Sequence, residues 1–159
     1  MDAPSIATFA AGCFWGVEEA FRTTPGIIDT KVGYMGGIMK NPTYQDVCTD
    51  ETGHAEVVQV TFDPTKISYE RLLDVFWNCH NPTTRNLQGS DVGSQYRSAI
   101  FTHSPEQEAK AKDSIVALDK AKKFGRPIVT EVIASGIFYP AEEYHQKYLM
   151  KRGMGSCRI

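Results

Sequence analysis

Through residue 102 the spacing of apolar residues reads strand, helix, strand, strand, helix, strand. This order constrains the fold more than any other feature, because it is the split β-α-β-β-α-β pattern of ferredoxin-like domains. Ser5–Ala11 is a short apolar run suited to a buried strand, and the segment from Gly16 to Thr24 reads as a helix stopped by Pro25-Gly26. Ile27–Tyr34 follows as a strand. Glu56–Phe62 alternates apolar and polar residues, with Val58, Val60 and Phe62 on one face. Ser68 caps a helix that repeats Leu72, Leu73, Phe76 and Trp77 at helical spacing, and Tyr96–Thr102 closes the pattern. Two helices on one face of a mixed, mostly antiparallel sheet bury both apolar sets, so the expected class is α+β.

Past the core, Ser104-Pro105-Glu106-Gln107 is a capping box with proline at the first helical position. The helix it opens should run to about Phe124, with Gly125 as terminator, before a strand at Ile128–Ala134 and a short helix over 141–150. The tail from Lys151 carries two glycines and reads as mobile. Two long polar loops, 35–54 and 81–95, interrupt the core, and loops of that length in a compact domain are usually functional. No repeat, low-complexity tract or linker divides the chain, so residues 1–159 are expected to form a single domain.

Charge and cysteine content narrow the setting. The net charge is −2, which gives no basic field for nucleic acid. Residues 1–60 carry three basic and eight acidic side chains, and the remainder 14 and 11. The candidate site lies mostly in the acidic part, which disfavours a phosphate-rich ligand. Four cysteines in 159 residues fall far short of a disulfide scaffold. Residues 1–12 lack a signal-peptide pattern and no run of 18 apolar residues suggests a membrane span, so a reducing, cytoplasmic location is expected.

Four groups of residues carry possible chemistry. Cys13 stands between Gly12 and Phe14-Trp15-Gly16 at the turn from a strand into a helix, where unpaired backbone N–H groups and the helix dipole favour a thiolate nucleophile. The alternative there is a buried thiol among core aromatics. Glu56, in Gly53-His54-Ala55-Glu56, enters a strand from the long loop and is a general acid if apolar neighbours raise its pKa; otherwise it faces water. His54-Ala55-Glu56 also matches half of the zinc deaminase signature, but the Pro-Cys-x-x-Cys half is missing, so no metal is expected. Tyr44, Asp91, Gln95 and Tyr96 lie in or beside the loops, where phenols either donate to a substrate oxygen or pack with one wet end. Cys157, in the tail, is a resolving cysteine or an incidental thiol. Cys48 and Cys79 read as structural.

Taken together, the pieces resemble the methionine sulfoxide reductase A family. The motifs are Gly12-Cys13-Phe14-Trp15-Gly16-Val17-Glu18, Gly33-Tyr34-Met35-Gly36-Gly37, Asn41-Pro42-Thr43-Tyr44, Thr52-Gly53-His54-Ala55-Glu56 and the run from Gly89 to Ser98, followed by 138–142 and 144–149. The resemblance spans residues 6–157 and implies an α+β thiol reductase for the S epimer of methionine sulfoxide, free or in proteins. By that resemblance Cys13 attacks the sulfoxide sulfur. Phe14 and Trp15 wall the substrate methyl, Tyr44, Tyr96 and Glu56 bind the sulfoxide oxygen, and Asp91 supports them. A sulfenic acid on Cys13 would be resolved by Cys157, and a thioredoxin-like donor would reduce the disulfide without any bound cofactor. The enzyme is expected to act as a monomer. Some relatives carry a further relay cysteine; only two residues follow Cys157 here, so thioredoxin is expected to attack the disulfide directly. A peroxide sensor would also use Cys13 and Cys157, but would have no need of the Phe14-Trp15 wall.

Overall fold

The computed structural model describes residues 5–153. In chain order, β1 (Ser5–Ala11) leads to α1 (Phe14–Arg22), β2 (Ile27–Met35), α2 (Tyr44–Cys48), β3 (Ala55–Phe62) and α3 (Tyr69–Asn78). A small hairpin of β4 (Leu87–Gln88) and β5 (Asp91–Val92) and a 3₁₀ turn at Ser94–Tyr96 precede β6 (Ser98–Thr102). Then come α4 (Pro105–Lys120), β7 (Glu131–Ala134), β8 (Tyr139–Pro140), a second 3₁₀ turn at Glu143–His145 and α5 (Tyr148–Lys151).

One sheet runs in the order β7-β6-β1-β3-β2-β8, antiparallel throughout except for β6 with β7. Its inner strands, β6-β1-β3-β2, with α1 and α3 form the ferredoxin-like core expected from the apolar order. β1 lies between β3 and β6 and is buried on both faces, which is why its sequence is a nearly unbroken apolar run. Its side chains alternate between two layers. Ala7, Phe9 and Ala11 join Phe21, Leu72, Phe76, Val58 and Val60 on the helix side. Ala10 packs on the opposite face with Met35, Ala55, Val57, Ala99 and Phe101, beneath Phe138. Phe9 stacks on Phe21 at 5.0 Å and meets Phe76 at 5.3 Å.

The same alternation positions the chemistry. Val58, Val60 and Phe62 of β3 face the helices, so Glu56 at the head of that strand faces them too, under the N-terminus of α1.

Several element boundaries differ from the sequence expectation. α1 begins at Phe14 rather than Gly16, which makes Cys13 its N-cap. The 35–54 loop contains α2, nucleated by a reciprocal capping box between Thr43 and Asp46, and β2 extends into it as far as Met35. The 81–95 loop holds the β4–β5 hairpin, and β6 starts at Ser98 because residues 94–96 turn as a 3₁₀ helix. α4 stops at Lys120, since Lys122 takes a left-handed φ of +55°. In its capping box Ser104 accepts from the Gln107 N–H, but the Gln107 side-chain Oε1 accepts from the N–H of His103, one residue before the cap. The strand expected from Ile128 starts at Glu131. The helix expected over 141–150 is two short turns, broken where Lys147 adopts φ +51° and donates its N–H to Glu18. Cys157 lies outside the described residues.

Candidate active site

The site is built where β1 hands over to α1. Gly12 takes φ +100°, a conformation favouring glycine, and a Cβ there would stand 2.9 Å from the Gln88 side chain. Gln88 is itself fixed by both backbone groups of Asn81: its Oε1 accepts from the Asn81 N–H and its Nε2 donates to the Asn81 carbonyl. The chain therefore turns tightly and presents half-buried Cys13 at the N-cap of a helix whose N–H groups favour negative charge. The Cys13 side chain makes no cap hydrogen bond. The first helical N–H, from Phe14, instead donates to Glu56 Oε1 at 3.1 Å.

Glu56 is 1% exposed. Burial pushes its carboxyl up to about 8; the Phe14 N–H pulls it down and the charge of Asp91 adds to the rise. The group is thus a neutral acid at pH 7. Its second oxygen, Oε2, is buried and makes no hydrogen bond among the described residues. A buried acid with one oxygen anchored and the other unspent is equipped to give a proton to an incoming oxygen.

The two candidate phenols share this environment. Tyr96 ends the 3₁₀ turn, and its hydroxyl is held above its ordinary range by burial and by Glu56, Asp91, Cys48 and Cys13. Tyr44 opens α2; its hydroxyl is raised by burial, by a hydrogen bond with the Cys48 side chain and by Glu56. Asp91, in β5, acts on both Glu56 and Tyr96. Cys13, Phe14, Tyr44, Glu56, Asp91 and Tyr96, drawn from α1, α2, β3 and the 81–97 connection, therefore converge on one place.

Phe14 is fully buried and contacts Tyr34, Tyr44 and His145 at ring distances of 5.8, 6.4 and 5.2 Å. Trp15 is half-buried, stacks flat on Tyr148 at 3.8 Å, and donates its indole N–H to His145 Nδ1 at 2.8 Å. The far wall comes from 139–151, which sequence reasoning left without a role although its motifs were matched. Glu142 accepts from the Tyr34 hydroxyl and the Tyr44 N–H at 2.9 and 3.0 Å. Both contacts stabilise the charged form, and the Glu142 carboxyl lies below its usual value despite the opposing effect of burial.

His54 is an anchor. Its Nδ1 accepts from the Gly37 N–H at 3.0 Å, so its Nε2–H donates to the Met39 carbonyl at 2.7 Å. Both nitrogens are spent on holding the loop before α2, which leaves no lone pair for a metal. Cys79 lies at the end of α3 and donates its thiol to the Phe76 carbonyl, whereas Cys48 is exposed beside Tyr44.

Comparison with known proteins gives consistent matches. The family described as peptide methionine sulfoxide reductase matches residues 5–159. The peptide methionine sulfoxide reductase MsrA of Methanoculleus marisnigri is 62% identical over 152 residues, covering 96% of this chain and 93% of its own length. Among solved structures, Mxr1 from Saccharomyces cerevisiae in reduced form has a TM-score of 0.87 at 39% identity, over 97% of this chain and 88% of that one. Mxr1 in complex with Trx2 has a TM-score of 0.62 at 30% identity, over 91% and 84%.

Proposed function

The chain belongs to the peptide methionine sulfoxide reductase family, and on that premise we propose that it reduces the S epimer of methionine sulfoxide at Cys13, with Glu56 as proton donor and thioredoxin as the final reductant. The observation that carries the reading is the buried, neutral Glu56, whose Oε1 accepts from the N–H next to Cys13 and whose Oε2 makes no hydrogen bond among the described residues.

The sulfoxide oxygen is strongly polarised, and its sulfur becomes electrophilic as that oxygen gains a proton. Glu56 supplies the proton, and the Tyr44 and Tyr96 hydroxyls hold the oxygen. Burial keeps Glu56 protonated, and the charge of Asp91 adds to the effect. Phe14 and Trp15 take the methyl group and exclude water from the acid. The Cys13 thiolate attacks the sulfur, and the hydroxyl passes to the Cys13 sulfur. The substrate leaves as the thioether, reduced by two electrons, while Cys13 becomes a sulfenic acid. Cys157 then displaces water to form a disulfide, and the thioredoxin dithiol exchanges with it to restore both thiols. Partnership with thioredoxin is supported by the related Mxr1, which has been crystallised with Trx2.

Two measurements test this. Turnover of the separated sulfoxide epimers with dithiothreitol should consume one and spare the other. Cys157→Ser should still release one methionine per enzyme in a single turnover, while thioredoxin-driven turnover collapses. A normal steady-state rate in that variant would move the resolving role to another thiol.

A further inference from the structure

Trp15 is held from a distance. Its indole N–H is a donor only, so the ring nitrogen it meets, His145 Nδ1, must be the unprotonated acceptor. The proton of that neutral imidazole is then on Nε2, which is buried and makes no hydrogen bond among the described residues. His145 is completely enclosed: its ring lies 4.4 Å from Tyr44, 4.1 Å from Tyr144, 5.2 Å from Phe14 and 5.7 Å from Trp15. Burying an N–H with no partner costs free energy. That cost is retained at the residue touching both aromatic wall residues and one of the phenols.

The backbone around His145 leaves the ring little freedom. Glu142 is bound to Tyr34 and Tyr44. The Gln146 amide pairs with both backbone groups of Val32, each at 2.9 Å. The Lys147 N–H is taken by buried Glu18 at 2.6 Å. Tyr148 stacks flat on the indole at an interplanar angle of 6°. Stacking alone fixes the indole plane but permits sliding and rotation within it; the N–H bond removes that freedom.

We propose that His145 is a positioning residue that sets the in-plane orientation of Trp15, and thereby the shape of the pocket for the substrate methyl group. The inference rests on the reading of Trp15 as part of that pocket. It assigns His145 no contact with the substrate and no proton transfer.

The test uses a Trp77→Phe background, in which Trp15 is the only remaining tryptophan. His145→Leu removes the acceptor and should shift Trp15 emission. It should also lower kcat/KM for methionine sulfoxide by about 10-fold or more, carried by KM rather than kcat. His145→Asn, whose amide oxygen falls near the Nδ1 position, should recover most of the loss; His145→Gln, which reaches instead toward Nε2, should not. In a Trp15→Phe background, which has no indole N–H to hold, His145→Leu should cost nothing further. An equal loss in the two backgrounds would overturn the proposal, because His145 would then act through the fold. The Asn and Gln pair keeps the test decisive if the leucine variant does not fold: equal KM values for the two would refute it. Shifted emission with unchanged KM would place the failure in the pocket role of Trp15. Unchanged emission and unchanged KM would place it at His145.

Discussion

At the start of α4, Ser104 accepts from the Gln107 N–H, as Ser68 does from the Arg71 N–H at the start of α3. At the start of α1 the cap position is Cys13, whose side chain caps nothing, and the first N–H goes to a carboxyl from another strand. The α3 and α4 ends are satisfied locally, within three residues. The α1 end is satisfied from 42 residues away, by a group that must be desolvated to reach it. A helix terminus closed by its own serine is inert. One closed from elsewhere in the fold directs its partial positive charge onto whatever is placed there, and here that is a thiol and an acid.

Exchanging the two kinds of terminus should give opposite results for activity and stability. Cys13→Ser installs the better cap and should raise stability by up to about 1 kcal/mol in chemical denaturation, while abolishing reduction, because a hydroxyl offers no accessible anion at neutral pH. Turnover above the uncatalysed rate would disprove the nucleophile assignment. Glu56→Gln keeps an oxygen for the Phe14 N–H but has no proton to give, and should slow single-turnover reduction by about 10²-fold. Wild-type rates at pH 8 would remove Glu56 from the donor role.

The pH dependence separates the termini more finely. The Glu56 carboxyl, raised from 4.5 to about 8, keeps its proton in the folded chain after the unfolded chain has lost it. Its favourable contribution to stability is therefore full below about pH 4.5 and lost as pH rises through about 8. Wild-type Tm should fall over that window relative to Glu56→Gln. The wild-type single-turnover rate should decline above about pH 8, a limb the glutamine variant lacks. The smallest effect belongs to the closed end. Ser104→Ala should cost about 1 kcal/mol and leave kcat/KM unchanged, as measured by paired denaturation and steady-state assays.

These termini also show what could be read in advance. Local pattern places Cys13 at a strand-to-helix turn and Glu56 where the long loop enters a strand, but whether Glu56 faces water or the helices is decided by the fold, which buries it. α2 was not legible, since a five-residue helix has no apolar period to display and only Thr43 and Asp46 mark it. His145 was out of reach for a different reason. Its bond to Trp15 joins residues 130 apart, and nothing in the local sequence indicates which indole a histidine will meet. The break at Lys147 likewise depends on Glu18, a partner on another helix.

The guanidinium of Arg97 donates to the Ser94 carbonyl and the Gly53 carbonyl, both at 2.9 Å, while the Asp50 carboxylate accepts from the N–H and hydroxyl of Ser94. These bonds tie the connection before β3 to the one before β6. The segments that carry Tyr44 and Tyr96 should therefore open as one unit of local unfolding. Once corrected for intrinsic exchange, their amides should report a common opening free energy, and Arg97→Leu should split it into two values.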